Sequence, residues 1–205
     1  MIVYAETNFL LEVAYLQERC ESCNAILALA RHGSVSLSIP AFSVAEARST
    51  WDSRISERNV LLRDQLQPLI RQLSRSQQFT SLPETSRDLL AAIVASGEEA
   101  RRRLDEVIAV IEQHGLILLL SADVLAVAVE LEKRFSLTPS DSVVMASVVT
   151  HAKSGASSSR CFVSQDKKAF SNPAIHDELA QYQCKVLNNF DDAVQYIQNI
   201  VQSAG

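Results

Sequence analysis

Four carboxylates, Glu6, Glu46, Asp141 and Asp166, stand at equivalent places in an alternation of strand-like and helix-like segments. Singly, each has a plain structural use. Glu6 ends an apolar run where it meets solvent or the dipole of the next helix. Ser43-x-x-Glu46 has the form of a capping box, and Thr138-Pro139-Ser140-Asp141 has the analogous form with a proline in the first turn. Asp166 has the position of an N-cap for a short helix starting at Lys167. Taken together the four say more, because loops after parallel strands gather at one edge of a sheet, where open α/β folds place their ligands. Carboxylates crowded there repel one another, and a hard divalent cation resolves the repulsion. Mg²⁺ or Mn²⁺ takes a few carboxylate oxygens and completes its octahedron with water. Such a site activates water for in-line attack and stabilises charge on a phosphodiester oxygen, so the chemistry to expect is hydrolytic nuclease chemistry.

The elements that must position these acids are legible in outline. Ile2 to Ala5 is a short apolar run, followed by Phe9, Leu10, Val13, Ala14 and Leu16 at helical spacing. A second helix is expected from about Glu21 to Arg31, with Gly33 as its stop. Val35, Leu37 and Ile39 alternate with serines and make a second strand ended by Pro40. Strand, helices, strand implies a parallel crossover. From Ala41 to about Gln113 no convincing strand appears, and about three helices are expected, with breaks at Pro68 and near Pro83. Leu116 to Leu120 reads equally as a short strand or as the lead-in to a helix from Ala122. A helix opened by Pro139, a loop from Lys153 to Ser159, strands at Cys161–Val163 and Lys185–Leu187, and a closing helix from Asp191 to Val201 complete the chain. The expectation is one α/β domain over residues 1–205, a parallel sheet flanked by helices.

Composition narrows the function classes. A hydrophobic fraction of 47% with 21% charged residues excludes wholesale disorder, and a net charge of −5 argues against a general polyanion coat while allowing a local basic patch. The longest purely apolar run, Leu116 to Leu120, is far below the roughly 20 residues of a membrane helix, and no secretory signal is read at the N-terminus. Four cysteines fit a reducing, cytoplasmic setting, and Cys20-x-x-Cys23 has no second pair to complete a zinc site, so apolar packing is expected for them. His32, His114, His151 and His176 are isolated and offer no acid–base pair.

At four places, in order, the chain resembles the PIN-domain ribonucleases, the family that includes the toxins of VapC-type toxin–antitoxin pairs. The pieces are Val3-Tyr4-Ala5-Glu6-Thr7-Asn8-Phe9-Leu10-Leu11, Ile39-Pro40-Ala41-Phe42-Ser43-Val44-Ala45-Glu46, Leu137 to Ser147 around Asp141, and Phe162-Val163-Ser164-Gln165-Asp166. The resemblance implies a PIN-like three-layer fold, Mg²⁺ or Mn²⁺ as cofactor, and endonucleolytic cleavage of single-stranded RNA to 5′-phosphate and 3′-hydroxyl ends. It makes Glu6, Glu46 and Asp141 the principal metal-binding acids and Asp166 the variable fourth. Asn8 and Ser164 match positions that brace the acids or a water. A homodimer and an antitoxin partner are further implications.

Two departures from the family pattern stand out. Glu6 replaces the usual aspartate, carrying the carboxylate one methylene further, which keeps a catalytically degenerate, RNA-binding or protein-interaction module as the alternative. A long helical insertion, about residues 50–113, exceeds the compact toxin form and is available for dimerisation or partner docking. Within residues 48–75 six arginines stand against three acids, so Arg54, Arg58 and Arg63 are candidate phosphate contacts, with a self-paired solvated helix face as the competing use. Lys167 is a further phosphate candidate beside Asp166, Trp51 is a base-stacking or core residue, and Arg101 to Arg103 read as a self-neutralising face.

Overall fold

The computed structural model describes residues 1–79, 81–155 and 159–204, so part of the expected loop from Lys153 to Ser159 lies outside the described residues. Five parallel strands, β1 (Ile2–Ala5), β2 (Ser36–Pro40), β3 (Leu116–Leu118), β4 (Arg160–Val163) and β5 (Cys184–Leu187), form one sheet in the order β3-β2-β1-β4-β5. The central strand is set by register: Val3 lies opposite Leu37 of β2 and Cys161 of β4. Side chains alternate across the sheet, as strand geometry requires. Val3, Ala5, Leu37, Ile39, Cys161 and Val163 enter one core, whereas Tyr4, Phe162 and Val186 enter the other.

Helices cover both faces. The first core is closed by α1 (Thr7–Tyr15), α2 (Cys20–Arg31), the start of α3 (Ala41–Leu61), the second half of α5 (Leu82–His114) and α10 (Phe190–Ala204). The second is closed by α6 (Ala122–Phe135), α7 (Pro139–Ser154), α8 (Lys167–Phe170) and α9 (Pro173–Ala180). Phe9 of α1 meets Phe190 of α10 edge-on at 5.7 Å, and Phe162 meets Phe170 in the same way at 4.9 Å. His151 shares a 2.8 Å hydrogen bond with Tyr4, and burial holds its pKa below the ordinary histidine value. All four cysteines are free and buried, and burial raises each thiol pKa, away from the thiolate that metal binding or redox exchange uses. Among the described residues no helix is long and apolar enough to cross a membrane.

The described part of the segment after β2 consists of helices joined by turns: α3, a π-helical stretch Leu62–Leu66, α4 (Gln67–Leu73), a 3₁₀ turn Gln77–Phe79, and the 33-residue α5. Leu116 to Leu118 resolves as an edge strand pairing with β2. Two expectations are corrected. The chain does not break at Pro68, which falls in the first turn of α4 directly after the π-helical stretch, and the turn comes instead at residues 74–76. Ser43 does not cap a helix, because α3 begins at Ala41 directly on the strand-ending Pro40, which puts Ser43 inside the first turn with its hydroxyl buried and, among the described residues, without a hydrogen-bond partner.

α5 returns to the sheet through Gly115, whose backbone lies against β2. A Cβ there would stand 2.4 Å from the Leu37 carbonyl oxygen. At Gly97 the added Cβ meets only the flexible ends of Arg58 and Ile55. Gly115→Ala is therefore expected to cost about 1–3 kcal/mol of stability by forcing backbone apart. Gly97→Ala, in a helix interior, should stay within about 1 kcal/mol of wild type, the helix preference for alanine offsetting the side-chain shift. Urea denaturation midpoints separate the two, and equal costs would contradict this account of the turn.

Candidate metal and phosphodiester site

In the strand order, the chain leaves β1 toward β2 and β3 and later returns to β4 on the other side, so the connections after β1 and β4 diverge at the carboxyl edge of the sheet. That divergence opens a crevice. Glu6 follows β1 and is only 5% exposed. As the N-cap of α1 it accepts the Asn8 backbone N–H on Oε2 at 2.9 Å, while Ser164, just beyond β4, donates its hydroxyl to Oε1 at 3.1 Å. Ser164 is fully buried and also accepts the Asp166 backbone N–H at 3.0 Å, so one hydroxyl ties the two loops together.

The other acids arrive on helix starts. Glu46, in the second turn of α3, accepts a hydrogen bond from Thr7 on Oε2. Asp141, in the first turn of α7, accepts the Thr138 hydroxyl on Oδ2 at 2.6 Å and returns its own N–H to Thr138 at 3.2 Å. Asp166 caps α8 by accepting the Ala169 N–H on Oδ1 at 2.9 Å. All four acids line a single cavity of about 240 Å³, together with Asn8, Thr50 and Arg54. The plain capping uses of Glu6, Asp141 and Asp166 and their convergence on this cavity coexist.

Burial pushes the Glu6 pKa up to about 7; its hydrogen bonds from Asn8 and Ser164 pull the other way and the Glu46 charge adds to the rise. Glu46 Oε1, Asp141 Oδ1 and Asp166 Oδ2 have no donor among the described residues. This is a hard-oxygen donor set without soft ligands, and its unspent oxygens beside a carboxyl reluctant to ionise fit Mg²⁺ or Mn²⁺. Among the described residues no three acids, histidines or cysteines already converge as a tight ligand cluster, so the carboxylates line the cavity in conformations set by their own hydrogen-bond donors.

The four cations singled out in the sequence are dispersed. Arg54 lines the acid cavity, its guanidinium 4.9 Å from the centre of the Tyr15 ring. Arg58 turns to α5, donating to Ser96 at 3.1 Å, and Arg63 pairs with Asp64 at 2.6 Å. Lys167 lines a different, polar cavity. Trp51 donates its indole N–H to the Gly97 carbonyl at 3.1 Å, and in the 770 Å³ groove between α3 and α5 Arg102 pairs with Glu99 and Glu106 and Arg101 with Asp105. Thr7 and Tyr15 escaped the sequence reading, since their contacts with Glu46 and Arg54 depend on how α1 packs against α3.

No protein-family model, curated protein or solved structure matches this chain.

The raised Glu6 pKa predicts a pH dependence in chelator-treated protein. Between about 4.5, the ordinary glutamate value, and about 7, the folded chain keeps a proton that the unfolded chain has lost. Stability therefore falls as pH rises through that window, by up to about 3 kcal/mol at ~1.4 kcal/mol per pKa unit. Glu46, Asp141, Asp166 and Arg54 face the same cavity and stay unchanged in Glu6→Gln, so the difference between wild type and variant isolates Glu6. Urea midpoints across pH 4.5–8 should show the wild type losing ground relative to Glu6→Gln. Parallel profiles would mean that the buried carboxyl ionises as freely as an exposed one.

Proposed function

We propose that this chain is a divalent-metal-dependent endoribonuclease of the PIN type that hydrolyses phosphodiester bonds in single-stranded RNA. The observation that carries the reading is the convergence of Glu6, Glu46, Asp141 and Asp166, from four separate stretches of sequence, on one cavity that also holds Arg54. Glu6, Glu46, Asp141 and Asp166 would hold Mg²⁺ or Mn²⁺, which supplies Lewis acidity toward the phosphodiester and lowers the pKa of water.

The chain's own groups do the rest. Thr7, Thr138 and Ala169 each occupy one oxygen of an acid and restrain its rotamer, and the other oxygen has no donor among the described residues and would be the one available to the ion. Ser164 sets the spacing of Glu6 and Asp166 through its two hydrogen bonds. Arg54, restrained against Tyr15, offers a planar charge to a non-bridging phosphate oxygen and balances the carboxylates. In the hydrolysis, the oxygen of water bonds to phosphorus, the bond from phosphorus to the 3′ oxygen breaks, and a proton passes to that oxygen, leaving 5′-phosphate and 3′-hydroxyl ends.

One observation favours a second reading. Both oxygens of Glu6 already accept hydrogen bonds, and burial disfavours its charge, which suits a degenerate module that binds RNA without cutting it.

The deciding test is cleavage of a labelled single-stranded RNA panel in Mg²⁺, Mn²⁺ or EDTA. Metal-dependent cutting is expected, reduced about 10²–10³-fold in Asp141→Asn, on the scale of removing one preorganised electrostatic group. Arg54→Ala should lose about tenfold or more, one factor of ten per 1.36 kcal/mol of lost charge stabilisation. RNA binding without cutting by folded wild type would establish the second reading, and cutting that survives in EDTA would remove the acids from the chemistry.

A further inference from the structure

α1 and α3 lie side by side and run the same way, and two contacts between them fix their register. Toward their starts Thr7 donates its hydroxyl to Glu46, and farther along the Arg54 guanidinium lies over the Tyr15 ring, 4.9 Å from its centre. Thr7 to Tyr15 and Glu46 to Arg54 are equal steps, each about two helical turns, or about 12 Å of axis at 1.5 Å per residue. Leu11 and Thr50 stand midway and line the acid cavity together with Glu46 and Arg54. The cavity therefore runs along the α1–α3 cleft. Glu6, Asp141 and Asp166 join Glu46 at the end where the helices start, and Arg54 stands at the other end.

Arg54 is uncommitted as a hydrogen-bond donor. Among the described residues it enters no ion pair, whereas Arg48, Arg58 and Arg63 of the same stretch bond to Asp105, Ser96 and Asp64. A cation–π contact takes the face of the guanidinium and leaves its in-plane N–H groups free, and that planar fork matches a phosphate. The ring also keeps the guanidinium level with Tyr15, so that it does not fold back along α3 to pair with Glu46. The Tyr15 hydroxyl takes no part, being buried without a hydrogen-bond partner among the described residues. The ring alone does the positioning.

The separation decides which phosphate Arg54 meets. About 12 Å of helix axis is several times the ~3.4 Å axial rise per nucleotide of a stacked strand, so a phosphate at Arg54 is not the one held at the acids. We propose that the α1–α3 cleft receives the RNA backbone on one side of the cleaved bond, with Arg54 on the phosphate of a nearby nucleotide and Tyr15 as the positioning residue that keeps Arg54 there. The contact reads backbone charge and not base identity, and it makes a second, uncleaved diester part of the substrate. The inference rests on the RNA reading above and adds the path of the strand to it.

The test uses a short RNA that the wild type cuts at one mapped bond in Mg²⁺. Every other linkage is replaced in turn by a neutral methylphosphonate on a 2′-deoxy sugar, with the charged deoxy linkage as control, and kcat/KM is compared. One neutral linkage near the cleaved bond should slow the wild type about tenfold, the factor expected of Arg54→Ala, and should cost less than about twofold in Arg54→Ala, where its partner is gone. Tyr15→Leu should lose about two- to fivefold, the scale of an exposed cation–π contact, and should lose nothing further when added to Arg54→Ala. Tyr15→Phe, which keeps the ring, should restore most of that loss, with thermal melting confirming that each variant is folded. A neutral-linkage penalty that is the same with and without Arg54 at every position overturns the flanking contact and leaves the nuclease reading standing. No loss in folded Tyr15→Leu, or a loss that persists in full beside Arg54→Ala, overturns the role of Tyr15. No cutting of any RNA by the folded wild type overturns the nuclease reading and the flanking contact with it.

Discussion

The Glu6 carboxylate is forced into the interior at the point where a parallel sheet splits, and its hydrogen-bond donors there are neutral. Its partners are a backbone N–H from the first turn of α1 and the hydroxyl of Ser164 from across the sheet. Ser164 then holds Asp166, so the two loops that diverge at the switch point are rejoined through one buried oxygen. The separation of the acids follows from this arrangement, and so does their electrostatic tension. A buried carboxyl with a pKa near 7 beside Glu46 is stable as an acid or as the ligand of a cation, and costly as a bare anion.

The long helical segment between β2 and β3 bears on the site through Glu46, Thr50 and Arg54. α3 begins at the strand end, carries Glu46 in its second turn and reaches Arg54 two turns later, still within the cavity. On another face the helix turns its polar groups to α5: Arg48 to Asp105, Trp51 to Gly97, Arg58 to Ser96. Arg48 and Arg58 are thus spent on holding two long helices together, whereas Arg63 and Arg71 bond within their own stretch, to Asp64 and to the Gln67 carbonyl. What distinguishes Arg54 from Arg58 and Arg63 is the Tyr15 ring beneath it, which restrains a cation without neutralising it.

Much of the scaffold was legible because it rests on local pattern. The alternation in Val35–Ile39, the apolar runs at Ile2–Ala5 and Cys161–Val163, and the stops at Gly33 and Pro40 are single-strand or single-helix signals, and they coincide with β1, β2, β4 and the end of α2. The acids could be listed for the same reason, since each sits at a junction. What local pattern could not carry was partnership across the sheet. Ser43-x-x-Glu46 looks like a capping box, but a helix that starts on Pro40 leaves no role for the cap, and Glu46 finds Thr7, 39 residues away. Arg48, Arg54 and Arg58 of α3 look alike in the sequence and differ in fate, because each fate depends on which face of α3 meets α1 and which meets α5.

The longer side chain at Glu6 is best understood against this geometry. An aspartate at the same place would draw the carboxylate back toward the Asn8 N–H and away from Ser164, because a capping contact two residues along the chain suits a short arm and a contact 158 residues away does not. The extra methylene lets one carboxylate satisfy both, coupling β1 to β4 more firmly than aspartate would. That coupling ties the loop bearing Asp166 to the start of α1. The same two hydrogen bonds occupy both oxygens of the carboxylate, so in the proposed nuclease Glu6 would exchange strength as a metal ligand for rigidity where the two loops meet.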